Sequence, residues 1–201
     1  MKLTVSTASH GNMTELPDII GFHGITAETR ADLETRFPDY YFFGFGTSEQ
    51  RDGLQNPIAF RRSLLALHGF EQFWLSDLPP VPGSRFVTDQ TDTPRCCTAA
   101  VLMLRDGYRP IRVYNAETDT AALAKVQGVS LILSRVAEDE DKYPGSPVIL
   151  MGDFHDAPGG KTESAVTKFS YRDLKLSATA KGIYTNCAAE SCADASAEVQ
   201  L

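Results

Sequence analysis

Cysteine is scarce in this chain and is nowhere spaced for a metal. Four occur in 201 residues, too few for a disulfide-built scaffold, and no Cys-x-x-Cys pair offers a zinc site. Cys96 and Cys97 are adjacent in a strand-like run, which sends their side chains to opposite faces. Cys187 and Cys192 lie near each other in a small, polar tail; they would bridge in an oxidising compartment and are expected to be reduced otherwise. Long apolar runs are missing too, so no segment reads as a membrane span. The opening residues Met1-Lys2-Leu3-Thr4-Val5-Ser6-Thr7 hold no apolar block of the signal-peptide kind, and a cytoplasmic location is expected. A cationic excess is also absent. Lys and Arg number 19 against 26 Asp and Glu, a formal net charge of -7. That balance, without a Lys/Arg stripe, argues against a broad grip on nucleic-acid backbone and leaves a small substrate or a protein partner open.

What remains is ordinary globular material, 42% hydrophobic and 22% charged, of a length that suits one domain with a sizeable core. Strand-like runs recur at Leu3 to Ser9, Asp18 to His23, Tyr40 to Phe45, Asn56 to Arg61, Ala99 to Leu104 and Ile111 to Asn115. The strongest is Pro147 to Phe154, a continuous apolar run of the buried-strand type. Two helices are expected. One is capped by Thr26 and runs to about Phe37, just before Pro38. The other runs from about Thr120 to Glu138, capped by Asp119 or Thr120, with Leu123, Val126, Val129, Ile132, Leu133 and Val136 on one stripe. Leu78 to Pro94, rich in proline, reads as a loop. Phe73 and Trp74 read as core or loop anchors. His68 reads as a surface residue in a turn. Residues 1–185 form the expected domain, and 186–201 an expected flexible tail.

Strand ends gather polar groups. Glu117 and Asp119 follow one strand and Asp153 and His155 the next, with His23 at the end of another and His10 near the end of the first. The carboxyl ends of strands are where sites collect in open α/β sheets.

Six motifs occur in order: PDIIGFHGIT, NPIAFRR, FWLSDLPPVPGS, PRCCTAAVL, VYNAETD and PVILMGDFHDAP. Together they resemble the endonuclease/exonuclease/phosphatase superfamily, the group around pancreatic deoxyribonuclease, over roughly residues 3 to 185. The resemblance implies an α/β fold, a four-layer sandwich of two facing mixed β-sheets flanked by helices. It also implies phosphoester hydrolysis with a divalent cation, usually Mg²⁺.

The matching positions depart from that pattern. Ser9 stands for a metal-site Asn. His23-Gly24 stands for Gln-Glu, whose Glu is the principal metal ligand. Asn115-Ala116-Glu117 stands for Asn-Thr-His, so a phosphate-facing His has become an acid. The Glu that orients this His would fall near Leu54 or Gln55. Gly152-Asp153-Phe154-His155 keeps the Asp of Gly-Asp-Phe-Asn. The closing segment, ending in Ser-Asp-His, has no match after Ile183-Tyr184-Thr185, so the C-terminal strands of the fold are expected to be lacking. Loss of those strands would expose sheet edges, which a partner chain would then cover.

Three functional readings follow. The first is a degenerate member of the superfamily with little or no hydrolytic activity, a pseudoenzyme or binding scaffold. The second is an active phosphodiesterase or phosphatase with a rebuilt metal site. For it, Asp153 and His155 are the candidate catalytic residues, and Asp153, His23, Glu117 and Asp119 the candidate metal ligands, with His10 beside them. Asn115 and Arg95 are the candidate substrate-binding residues. Such mixed ligands favour Mn²⁺ or Zn²⁺ over Mg²⁺. The third is a weak Mg²⁺ enzyme relying on Asp153, Asp119 and Asp156.

Overall fold

The computed structural model describes residues 2–8, 16–87, 91–156, 159–172 and 195–200. In chain order the elements are β1 (Lys2–Ala8), β2 (Ile19–Phe22), α1 (Ala27–Arg36), β3 (Tyr40–Phe43), β4 (Ile58–Arg61), β5 (Leu65–Trp74), β6 (Cys96–Leu104), β7 (Pro110–Glu117), α2 (Ala122–Glu140), β8 (Val148–Asp153), α3 (Lys161–Arg172) and β9 (Ala195–Gln200). One sheet has the order β3-β4-β2-β1-β9 and the other β5-β6-β7-β8. Both are mixed: β1 runs parallel to β2 and β7 parallel to β8, while the remaining pairs are antiparallel.

Period-two alternation builds the layers. On β7, Ile111 and Val113 face the other sheet, where they meet Leu3, Val5, Ile19, Ile58 and Phe60. Tyr114 and Ala116, on the opposite face, pack beneath Ile132 and Val136 of α2. On β8, Ile149 and Met151 join the inner core, while Val148 and Leu150 pack on the α2 side. On the outer face of the other sheet, Ile20, Phe22, Tyr40 and Phe42 pack with Leu33 of α1. Helix, sheet, sheet and helix therefore stack as the expected four-layer α/β sandwich.

The predicted helices form close to their expected bounds. Thr26 caps α1 by accepting from the Thr29 amide at 3.1 Å. The α2 stripe is buried at Val129, Ile132, Leu133 and Val136, but Leu123 is 57% exposed and lies off the core. Cys96 and Cys97 fall on opposite faces as expected. Cys97 packs in the α2-side core, and the Cys96 sulfur lies 3.3 Å from Nε2 of Gln72. Phe73 and Trp74 are core residues, with the indole N–H of Trp74 donating to the Thr47 carbonyl at 2.6 Å.

Three expectations need correcting. Residues 65–74 form strand β5, so His68 is exposed on a strand, at the bulge between Leu67 and Gly69, and not in a turn. Residues 161–172 form α3. Residues 195–200 do not belong to a flexible tail: they pair antiparallel with β1 from Lys2↔Gln200 to Thr7↔Ala195. The edge of β1 offers unpaired N–H and C=O groups, and this segment satisfies them. The rest of the expected tail, residues 186–194 with Cys187 and Cys192, lies outside the described residues.

Candidate functional site

The site lies at one rim of the sandwich. In parallel register, Glu117 of β7 pairs with Asp153 of β8. Counting by twos, Glu117 continues the inner row Ile111, Val113 and Asn115, and Asp153 continues the row of Ile149 and Met151. Both carboxylates thus fall where the intersheet core ends and the rim begins.

After Asp153 the chain turns sharply. His155 adopts a left-handed backbone, φ +46°, and its amide donates to Asp153 Oδ1 at 2.8 Å. Lys125, in the first turn of α2, donates from Nζ to the His155 carbonyl. These two bonds hold the turn, so the imidazole lies with Nε2 3.4 Å from Glu117 Oε1 and Nδ1 3.5 Å from Asp153 Oδ1. Arg95, just before β6, forms an ion pair with the same Glu117 Oε1. The Arg95 and Glu117 side chains are only 12% and 15% exposed, so water screens this pair less than a surface one.

The charges tune one another. Burial pushes the Glu117 carboxyl up, but the hydrogen bond from His155 and the Arg95 charge outweigh burial and hold it below the usual range. The hydrogen bond to Glu117 raises the His155 imidazole; burial opposes this, and the nearby Asp153 charge reinforces it. Glu117 anionic and His155 cationic favour each other.

Gly24, where the resemblance expects a metal-binding Glu, has φ +63°. A Cβ added there would lie 3.3 Å from Glu117 Oε2. The Glu117 carboxylate therefore borders the space a side chain at position 24 would enter. The Gly24 amide is held by Asn56 Oδ1 at 3.0 Å.

The structure brings together Arg95, Glu117, Asp153 and His155. His23 stands one residue before Gly24, just past the end of β2. Asn115 is fully buried: its Nδ2 donates to the carbonyls of Phe22, Asn56 and Pro57, while its Oδ1 has no hydrogen-bond partner among the described residues. Asp119 is turned into the loop before α2, where it accepts from the Ala121 amide at 2.6 Å and from the Thr91 hydroxyl. Asp156 accepts from the Thr162 amide at 2.9 Å, in the first turn of α3. Gln55 is buried and its Oε1 accepts from Arg30, while Leu54 is exposed. Ser9 and His10 lie outside the described residues. Lys125 and Asn56 were not singled out from sequence. Lys125 carries no motif signal. Asn56 opens the motif NPIAFRR and was legible there.

A divalent cation does not fit the described residues. Among them no group of three His, Cys, Asp or Glu side chains is arranged to hold a metal. Gly24 offers no side-chain ligand. Oε1 of Glu117 is already engaged by a guanidinium and an imidazole.

No protein-family model matches the sequence, and no curated protein matches it. Solved structures do match. An endonuclease/exonuclease/phosphatase family protein from Bacteroides thetaiotaomicron superposes with TM-score 0.76 at 21% identity, over 84% of this chain and 69% of that one. A mannosyl-6-phosphatase from the same organism gives 0.74 at 22% identity, over 83% and 70%. The catalytic domain of human Nocturnin, with a bound sulfate anion, gives 0.60 at 14% identity, over 81% and 68%. The chain thus has the deoxyribonuclease I-like fold of the endonuclease/exonuclease/phosphatase superfamily. No helix among the described residues is long and apolar enough to cross a membrane.

Proposed function

We propose that this chain is a phosphoester-binding scaffold with little or no hydrolytic activity of its own. The observation that carries the loss of activity is the set of charges paired at Glu117, and the Nε of Arg95, without a partner among the described residues, supports the binding of a phosphoester oxygen. An anionic side chain replaces a phosphate-facing donor, and Arg95, through Nη1, and His155, through Nε2, pair with it. Developing negative charge in phosphoryl transfer would meet that carboxylate, which opposes the transition state. The net charge of -7 suits a small phosphoester or a protein partner better than extended nucleic acid.

The test is turnover of p-nitrophenyl phosphate, bis(p-nitrophenyl) phosphate and mannose 6-phosphate with Mg²⁺, Mn²⁺ or Zn²⁺. Mannose 6-phosphate is included because one structural neighbour is a mannosyl-6-phosphatase. The expected rate is within about tenfold of a protein-free blank. The competing reading, a hydrolase with a rebuilt site, draws support from the convergence of His155 on both Glu117 and Asp153. Metal-dependent turnover abolished by Asp153→Ala would establish that reading instead.

A further inference from the structure

The mismatch between this rim and a divalent cation has a structural counterpart in Arg95. Glu117 Oε2 borders the space above Gly24, and Glu117 Oε1 faces Arg95. Arg95 is fixed at the start of β6, where its carbonyl accepts from the Leu75 amide at 2.8 Å. Its guanidinium is largely buried against the carboxylate. Its Nε is buried with no hydrogen-bond partner among the described residues, an N–H donor held at the rim. An arginine is always charged and brings five donors in a rigid fork, whereas a divalent ion needs several oxygen ligands with their lone pairs free.

We propose that Arg95 is the resident cation of this site. It neutralises Glu117, excludes divalent ions from the rim, and gives the site its attraction for a phosphate-type oxyanion without a metal. This rests on the phosphoester-binding reading only for the identity of the ligand.

The first arm of the test follows Mn²⁺ binding to the full chain by electron paramagnetic resonance. Wild type is expected to hold Mn²⁺ no tighter than about millimolar. Arg95→Met frees the carboxylate and is expected to tighten Mn²⁺ by at least about tenfold, a factor worth about 1.4 kcal/mol. Adding Glu117→Gln to that variant should remove the gain, and Arg95→Lys, which keeps the charge, should show none. Micromolar Mn²⁺ binding by wild type that is lost in Glu117→Gln overturns the proposal, whether or not Arg95→Met folds. A folded Arg95→Met, judged by circular dichroism and melting, that gains no Mn²⁺ also overturns it.

The second arm titrates inorganic phosphate by calorimetry in EDTA. Binding by wild type that weakens at least about tenfold in Arg95→Met supports both the resident cation and the phosphoester ligand. Phosphate that binds neither protein, alongside Mn²⁺ gained by Arg95→Met, sinks the ligand reading and the attraction for phosphate, and leaves the exclusion of metal supported.

Discussion

The Asn115 amide reaches from β7 across the sandwich to the carbonyl of Phe22 at 2.7 Å, tying the two sheets together directly beneath the rim. Its Nδ2 also lies 3.2 Å from the carbonyls of Asn56 and Pro57. Gly21 faces it, because any Cβ there would come within 2.4 Å of Asn115 Oδ1. Asn115→Leu leaves these buried carbonyls without that donor and should cost about 2–3 kcal/mol. Urea unfolding measures the loss. Read as a strut beneath the rim, Asn115 predicts that the folded variant keeps any phosphate affinity of the wild type.

Arg112 makes a comparable strut on the other face. It is fully buried, donates to the carbonyls of Val136 at 2.9 Å and Ser146 at 3.1 Å, and pairs with Glu140. It joins β7 to the end of α2 and the loop that leads into β8. Arg112→Ala should cost about 3–5 kcal/mol, since it strands buried carbonyls and the partner charge. Glu140→Gln, at a half-exposed partner, should cost well under half of that, and the same unfolding experiment compares them.

The rim charges set a pH optimum for stability. The raised His155 imidazole stabilises the fold fully below its ordinary value of 6.5, and this contribution fades as pH rises through the raised value. The lowered Glu117 carboxyl stabilises the fold above its ordinary value of 4.5, and that contribution fades as pH falls through the lowered value. The site's contribution should therefore peak between those two ordinary values, and melting temperature should fall as pH rises from the ordinary imidazole value through the raised one. His155→Asn should remove this alkaline slope. Asn tolerates the left-handed backbone at this position and does not titrate, so the variant isolates the ring. An unchanged slope in the variant would assign the pH effect elsewhere.

The buried thiols should be inert. Burial pushes Cys96 up to about 12, and Cys97 is raised as well. The thiolate is the reactive form, and neither side chain meets solvent. Labelling of both by a thiol reagent should proceed only at the rate of global unfolding, read by mass spectrometry of the labelled peptides.

Sequence carried the sandwich where one face of an element is uniformly apolar. The α2 stripe was visible because its buried residues recur at helical spacing on one face, and the Pro147 to Phe154 run because packing on both faces of β8 leaves an unbroken apolar signal. β5 was not, because Leu65-Ala66-Leu67-His68-Gly69-Phe70-Glu71-Gln72 sits at a sheet edge, half exposed and broken by a bulge. Propensity alone does not separate such a strand from a loop. Glu117, Asp153 and His155 were expected near one another because they follow strand ends, whereas the pairing of Arg95 with Glu117 had no signal in the sequence. For Asn115 and Asp119, motif spacing names the residue type but not its partners, which are backbone carbonyls for the Asn115 Nδ2 and the Ala121 amide and Thr91 hydroxyl for Asp119. The proximity of Glu117 to the space above Gly24 joins positions far apart in sequence, and only the packing of one sheet on the other reveals it.

The pairing of Lys2 with Gln200 has a consequence for how the molecule is made. β1 lies between β2 and β9, so one side of a strand synthesised first waits for the last strand of the sheet. During translation, the nascent chain carries that row of open hydrogen-bonding groups until residues 195–200 clear the ribosome. Among the described residues, the β1–β9 ladder of the sheet bearing Gly24 is the last to acquire its pairing.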